Sequence, residues 1–375
     1  MKFCIGGLGY CGSRLAVRLR QEFPDCKISG CVRSESRKQA WLASNTDNHG
    51  VAVHVLDLDN DYTGLDPEGI KDLSEATHMI QTIAPIADFD RDPFLALHSE
   101  TLLAAASCWK WIGYLSSTGV YGDHNGDWID ENANLNCQDT KSLARVQAEI
   151  EWRQFETTRR QQIQATTSSD SKTQMTTTHL PRVDCFRCGG IYGPGRSLLD
   201  STITKVAAGI PLTTNNEEED GEINKLLPPK YVNRILVDDI CGAMIAAIQA
   251  NTANAAESPP YPPGTIYNLV DDDPAPRREV TAEAVRIVED ARNIASSGGA
   301  TKKEDPPTGG EAPTTTTGRR RPTSRNTGNK RCQNQRLKDN YQWRLVAPTY
   351  REGLQICLES YREVLGRPLP LDLEG

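Results

Sequence analysis

Residues 1–12 read MKFCIGGLGYCG, and this stretch decides the fold. Lys2 to Gly6 is a short, strand-like run. It leads into Gly7-Leu8-Gly9-Tyr10-Cys11-Gly12, a G-x-G-x-x-G that with Gly6 also reads G-x-x-G-x-x-G. A helix-like stretch follows from Tyr10 to Phe23, with Leu15, Val17 and Leu19 interleaved with arginines. Strand, glycine turn and helix in that order form a phosphate grip. One glycine permits the tight turn, one lets a pyrophosphate approach the backbone, and Gly12 lets helix and strand pack closely. The anion then sits at a helix N-terminus, where free N–H groups and the dipole favour it. The expected ligand is a nicotinamide dinucleotide, held by Gly6, Gly7, Leu8, Gly9, Tyr10, Cys11 and Gly12.

Working outward, residues 27–32 (KISGCV), 51–56 (VAVHVL, ending at Asp57) and 78–83 (HMIQTI) read as strands two to four. A helix carrying Leu95, Leu97, Leu102 and Leu103 precedes strand five, Trp111 to Ser116. Strands alternating with helices predict an α/β chain, a Rossmann-type doubly wound parallel sheet. The expected division is a dinucleotide-binding domain over 1–250 and a smaller C-terminal substrate-binding portion over 251–375. Residues 157–179, rich in Thr, Gln and Ser, read as a disordered insertion. Residues 295–329, rich in Gly, Pro, Thr and Arg, read as a disordered linker. Beyond them RLKDNYQWRLVAPTYREGLQICLESY regains apolar content and suggests a final helix returning to the body.

The balance of 42 basic against 50 acidic residues gives a net charge of −8, which excludes a chain-wide basic field for nucleic acid or anionic membrane. No apolar run approaches the roughly 20 residues that cross a bilayer. Met1 leads straight into a strand, leaving no room for a targeting peptide in this chain. The 11 cysteines are scattered, which fits reduced thiols in a cytoplasmic setting. Cys185 and Cys188 lie three apart on a strand-like run, where such positions face opposite ways, so they read as packing residues. The six histidines show no metal-binding spacing, and no metal site is expected. His124, beside the presumed site, reads as a loop histidine.

Strand two ends at Cys31-Val32-Arg33-Ser34. An NAD site usually places Asp or Glu there for the ribose 2′-OH. Arg33, with Arg37 and Lys38 near, suits a 2′-phosphate instead, so NADP is favoured over NAD. Asp57, ending strand three, is placed to meet the adenine.

Strand five continues as Leu115-Ser116-Ser117-Thr118-Gly119-Val120-Tyr121-Gly122-Asp123. This resembles the S-S-x-x-V-Y-G-D signature of the extended short-chain dehydrogenase/reductase superfamily, the NAD-dependent epimerase/dehydratase group. Arg187 to Arg196, RCGGIYGPGR, resembles that group's R-x-x-x-x-Y-G-P-G segment. Asn233 to Ile240, NRILVDDI, resembles its N-x-x-H-V-D-D segment without the histidine. Asn329 to Lys338, NKRCQNQRLK, is similar to an atypical branch of the group.

The resemblance implies three catalytic positions: a Ser or Thr after strand five, a Tyr acting as acid/base, and a Lys four residues later. Ser117 matches the first. Anchored on Glu149, the next helix places Lys141 at the tyrosine position and Arg145 at the lysine position. The Y-x-x-x-K tyrosine is therefore missing. Arg145, always cationic, is expected to hold the nicotinamide ribose. Lys141 serves as an acid only if burial or a neighbouring cation tunes it, and Tyr121 is the other proton-donor candidate. Ile83, Ala84 and Pro85 are expected to line the cofactor's ribose side, and Tyr192 and Arg196 the substrate cleft. Three readings follow: an oxidoreductase or epimerase on a sugar-like or nucleotide-sugar substrate, a non-catalytic dinucleotide-binding sensor or scaffold, or a fold that binds nothing. A homodimer through the helices flanking strands four and five is common in the superfamily.

Overall fold

The computed structural model describes residues 1–44, 50–58, 62–86, 91–104, 109–169, 182–207, 229–253, 262, 264–297 and 328–361. In chain order these form β1 (Lys2–Gly6), α1 (Tyr10–Glu22), β2 (Lys27–Val32), α2 (Glu35–Ser44), β3 (Val51–Asp57), β4 (Gly64–Leu65), α3 (Pro67–Glu75), β5 (His78–Gln81), α4 (Pro93–Ala104), β6 (Trp111–Ser117) and β7 (Trp128–Ile129). There follow α5 (Thr140–Ser169), β8 (Arg182–Cys188), β9 (Gly190–Tyr192), α6 (Leu198–Ala207), β10 (Tyr231–Val232), β11 (Arg234–Leu236) and α7 (Val237–Ala253). The remainder is β12 (Ile266–Leu269), β13 (Ala275–Pro276), α8 (Arg277–Ser297), β14 (Arg331–Cys332), α9 (Gln335–Tyr341) and α10 (Tyr350–Glu359).

The main sheet has the order β12-β8-β6-β5-β1-β2-β3-β4, and every pairing but β3 with β4 is parallel. Strand order reverses at β1, between β2 and β5, which is the switch point where an open α/β sheet leaves a crevice beyond its carboxyl ends. Because successive strand side chains alternate, each strand feeds two cores. Phe3 and Ile5 pack with α1, α2, α7 and α9, whereas Cys4 packs with α3, α4 and α5. Cys188 and Cys185 fall in those two cores in the same way, so the C-x-x-C does face opposite sides of the sheet.

Both expectations of disorder need correction. The stretch 157–179 does not begin as a disordered insertion, because α5 runs unbroken to Ser169; residues 170–179 lie outside the described residues. Trp152, Phe155 and Glu156 dock the helix on the sheet, and the polar turns that follow only extend an existing helix, which avoids the nucleation cost. The linker expected over 295–329 is likewise shorter at both ends: α8 reaches Ser297, and Gly328 is buried, while residues 298–327 lie outside the described residues.

The boundary at residue 250 does not follow the layers either. Ile266–Leu269 add the outermost strand of the main sheet, and Leu337, Tyr341 and Trp343 sit in its core. The smaller portion is built from α6, α8, α10 and parts of β9 and β11, around Leu199, Leu236, Val280, Ile287 and Leu354. The apolar tail predicted as one helix forms two, α9 on the main sheet and α10 on the smaller portion.

Asp92 caps α4: its Oδ1 accepts from the N–H groups of Phe94 and Leu95, both at 3.0 Å. Its Oδ2 is buried without a partner among the described residues, and burial pushes the carboxyl up to about 6. The folded chain thus holds this proton more tightly than the unfolded chain, where Asp titrates near 3.9. The stability it confers is present below about pH 4 and lost as pH rises through 6. Asp92→Asn keeps the capping oxygen and cannot ionise. It is expected to raise unfolding free energy by about 2–3 kcal/mol at pH 8 and to leave it unchanged at pH 4. Urea melts at both pH values test this, and equal effects at the two would sink it.

Candidate functional site

The glycine turn closes the carboxyl end of β1. Gly7 has φ +96°, a conformation L side chains rarely adopt. A Cβ on Gly12 would overlap the Gly7 carbonyl, so helix and turn touch through bare backbone. Gly9 differs: a Cβ there meets nothing within 4 Å. The tight turn thus falls on Gly7 and the close helix–strand contact on Gly12, while the backbone at Gly9 is left open. Leu8 is buried as an anchor, its N–H donating to the Cys31 carbonyl at 2.7 Å and its side chain filling the space above Gly30.

Thr82, directly after β5, donates its hydroxyl to the Gly6 and Gly7 carbonyls, both at 2.9 Å, and its N–H to Gly6. Ser13 Oγ takes the Leu8 carbonyl and is itself held by Trp41 Nε1 at 2.8 Å. The turn's carbonyls are therefore tied inward. At α1 the first helical bond comes from Ser13 to Gly9, and the helix has no side-chain cap. The N–H groups of Tyr10, Cys11 and Gly12 come ahead of that first bond, at the positive end of the helix dipole. A bare cradle at Gly9 beside an uncapped helix start fits a diphosphate.

The other cofactor candidates lie along the same crest of strand ends. Arg33 is exposed at the end of β2, and Ser34 Oγ accepts from the Arg37 N–H at the start of α2. Asp57 ends β3, half-buried. Ile83 lies over Gly7, where a Cβ would come within 3.0 Å of its Cγ1; Ala84 is exposed and Pro85 half-buried. Gln81 was not anticipated. Its carboxamide fills the space a Gly6 Cβ would need, and its Nε2 is buried without a partner among the described residues.

Ser117 ends β6, and its Oγ accepts from the Gly119 N–H at 3.1 Å, which leaves the hydroxyl hydrogen free to donate. Arg145 donates to the Leu115 carbonyl at 3.4 Å, which places it on the same strand end from the α5 side. Lys141 is exposed at the start of α5, so burial, one of the two conditions for a lysine acid, is absent. Ser142 is the neighbour instead: its Oγ and that of Ser117 flank Gly119, at 3.2 and 3.3 Å from a Cβ built there.

Tyr121 is not a proton donor to a cleft. It is fully buried, its hydroxyl donates to Asn268 Oδ1 at 2.7 Å, and burial raises the phenol further above its ordinary value. The Arg187 guanidinium lies 4.7 Å from its ring centroid. Arg187 in turn grips Glu149 bidentately at 2.7 and 3.1 Å, and Ser116 donates to the same carboxylate at 2.6 Å. This buried network ties β6, β8 and α5 beneath Ser117. His124 uses Nε2 on the carbonyls of Tyr121 and Asn134, as a loop histidine.

Tyr192 also leaves the substrate cleft: it is buried in the smaller portion, and its hydroxyl lies where a Cβ on Gly353 of α10 would stand. The Arg196 guanidinium lies 5.2 Å from the ring centroid of Tyr10, the first residue of α1.

The segment after Gly328 acts as a strap. The Asn329 carbonyl accepts from His124 and Gly126, both at 2.9 Å, and its side chain accepts from the Tyr231 N–H. The buried Lys330 ammonium donates to the Gly122 carbonyl at 3.0 Å. Asn268 donates to the Gln333 carbonyl, and Asn334 to that of Val270. Three loops that border Ser117 and β12 are thus fastened by one strand. Among the described residues no group of three or more His, Cys, Asp or Glu gathers as a metal site, and no helix is long and apolar enough to cross a membrane.

No protein-family model and no curated protein matches the chain. Solved structures do. A conserved protein of Silicibacter pomeroyi, described as functionally unknown, is 23% identical with a TM-score of 0.59, over 96% of this chain and 98% of that one. A dTDP-glucose 4,6-dehydratase from Bacillus anthracis, in complex with NAD, is 16% identical with a TM-score of 0.62, over 97% of both chains. A UDP-glucuronic acid 4-epimerase from Bacillus cereus, also in complex with NAD, is 14% identical with a TM-score of 0.59, over 98% of this chain and 99% of that one. The chain therefore has the α/β Rossmann fold seen in these NAD-bound dehydratase and epimerase structures.

Proposed function

We propose that this chain is an NAD(P)-binding epimerase/dehydratase-like protein, an oxidoreductase or epimerase acting on a sugar-like or nucleotide-sugar substrate. The observation that carries the reading is the pairing of a bare glycine cradle at the end of β1 with Ser117 and Arg145 at the end of β6, one strand removed across β5. The similar structures that hold NAD and act on nucleotide sugars support it. A bound nicotinamide supplies a hydride acceptor and donor. The residues here do the rest. The Gly9–Gly12 turn grips the diphosphate, Arg33 reads a 2′-phosphate (hence NADP over NAD), Asp57 meets the adenine, and Ile83 to Pro85 border the ribose. Arg145 holds the nicotinamide ribose, and Ser117 donates to the substrate oxygen. A homodimer through α4 and α5 suits Leu143 and Ile150, both exposed on α5. A reducing, cytoplasmic setting suits the described cysteines, which are free and mostly buried.

A second reading, a non-catalytic sensor or scaffold, is favoured by one specific observation: no tyrosine stands at position 141, and the lysine there is exposed. The test separates the two. NADPH and NADH are titrated by fluorescence, and their oxidation is followed with a panel of carbonyl compounds. The enzyme reading expects turnover that falls about 100-fold or more in Ser117→Ala, with cofactor affinity unchanged. Binding without turnover on any substrate supports the sensor, and a clear preference for NADH removes the Arg33 assignment.

A further inference from the structure

We infer that Arg196 is a ligand of the cofactor's diphosphate, closing over the glycine turn from the opposite side of the cleft. The inference rests on the dinucleotide reading above. Gly193 and Arg196 pair their backbones around Pro194 and Gly195, with Gly195 at φ +75°. Proline then a positive-φ glycine is the sequence of a tight type II turn. Tyr10, the first residue of α1, donates its hydroxyl to the Pro194 carbonyl at 3.1 Å. The same ring lies under the Arg196 guanidinium. One tyrosine of the phosphate turn thus fixes both the position of the opposing loop and the cation it carries.

The charge on Arg196 reaches the turn. It opposes the burial that pushes the Cys11 thiol up to about 11, and Cys11 is the second residue of α1. Among the described residues Arg196 has no carboxylate partner. Asp200, four residues on, is taken by the N–H and hydroxyl of Ser197 and by the hydroxyl of Tyr361. Tyr361 also accepts from the Gly195 N–H, which holds the turn from its far side. A cation beside the positive end of a helix is electrostatically unfavourable in isolation. It becomes favourable once an anion lies between the two. A guanidinium suits a diphosphate because its fork matches two oxygens at once.

The test is binding, measured by fluorescence titration and calorimetry on the full chain with NADPH, NADH and ADP-ribose. Arg196→Ala is expected to weaken all three by ~10- to 100-fold, with Arg196→Lys intermediate and the melting temperature unchanged. Tyr10→Phe, which keeps the ring but frees the turn, should weaken them less. Unchanged ADP-ribose affinity in Arg196→Ala overturns the inference and returns Arg196 to the substrate. A loss confined to NADPH also overturns it, because only the 2′-phosphate distinguishes that ligand. If the unaltered chain binds none of the three, the dinucleotide reading itself has failed.

Discussion

Glu149→Ala is expected to lower unfolding free energy by about 3–5 kcal/mol, among the largest effects of any single substitution in this chain. Glu149 and Arg187 each have only 3% of their side chain exposed. Their bidentate pair closes α5 onto β8, and Ser116 adds a third hydrogen bond from β6. Removing the carboxylate leaves a guanidinium buried without its counter-charge, beside one Nη1 that already lacks a partner among the described residues. The cost therefore comes mostly from the orphaned charge and not from the lost pair. It follows that Glu149→Leu combined with Arg187→Met should recover much of the loss. Denaturant unfolding of the two single variants and the double variant measures this as a cycle. A loss below 1 kcal/mol in Glu149→Ala, or a double variant worse than the sum of the singles, would contradict the account.

Gly9→Ala and Gly12→Ala are expected to separate binding from folding. At Gly9 the backbone has φ −82° and a Cβ meets no protein atom within 4 Å, so alanine fits the fold. Stability should hold or rise by a few tenths of a kcal/mol, because the unfolded chain loses freedom. On the proposed function the methyl group would stand in the diphosphate's path, and dinucleotide affinity should fall ~10- to 100-fold. At Gly12 the methyl overlaps the Gly7 carbonyl and comes to 3.1 Å from Ile5 Cγ2. There both quantities should fall, with about 1–3 kcal/mol of stability lost to overpacking. Urea melts and NADPH titrations on the same preparations give the two readouts. Wild-type affinity in Gly9→Ala would mean that the cradle is not the dinucleotide site.

The fold was legible where local pattern and tertiary demand agree. Gly7, Gly9 and Gly12 each need a property of the residue itself, either a positive φ or a missing Cβ, so a one-dimensional string records them. The alternation in Cys185-Phe186-Arg187-Cys188 is local for the same reason. The site was legible less evenly. Ser117 stands at a strand end, where its motif places it. Tyr121 belongs to the same motif, but its role depends on Asn268, 147 positions away, and on Arg187, and no spacing shows that it is buried. Thr82, Gln81 and Ser142 carry no motif; they matter because neighbouring strands and α5 bring them to Gly6, Gly7 and Gly119. Composition misled at 157–169, where polar residues continue a helix anchored upstream.

By itself the sequence determined the strand–turn–helix start and the parallel α/β alternation, because each is a property of residue type at short range. Only the tertiary structure decided which groups share an environment. It exposed Lys141, buried Tyr121 and Tyr192, moved Arg196 onto Tyr10, and showed that Glu149 is the counter-charge of a buried arginine. Those outcomes depend on burial and on partners far away in the chain, and burial sets whether a charge is solvated, paired or costly.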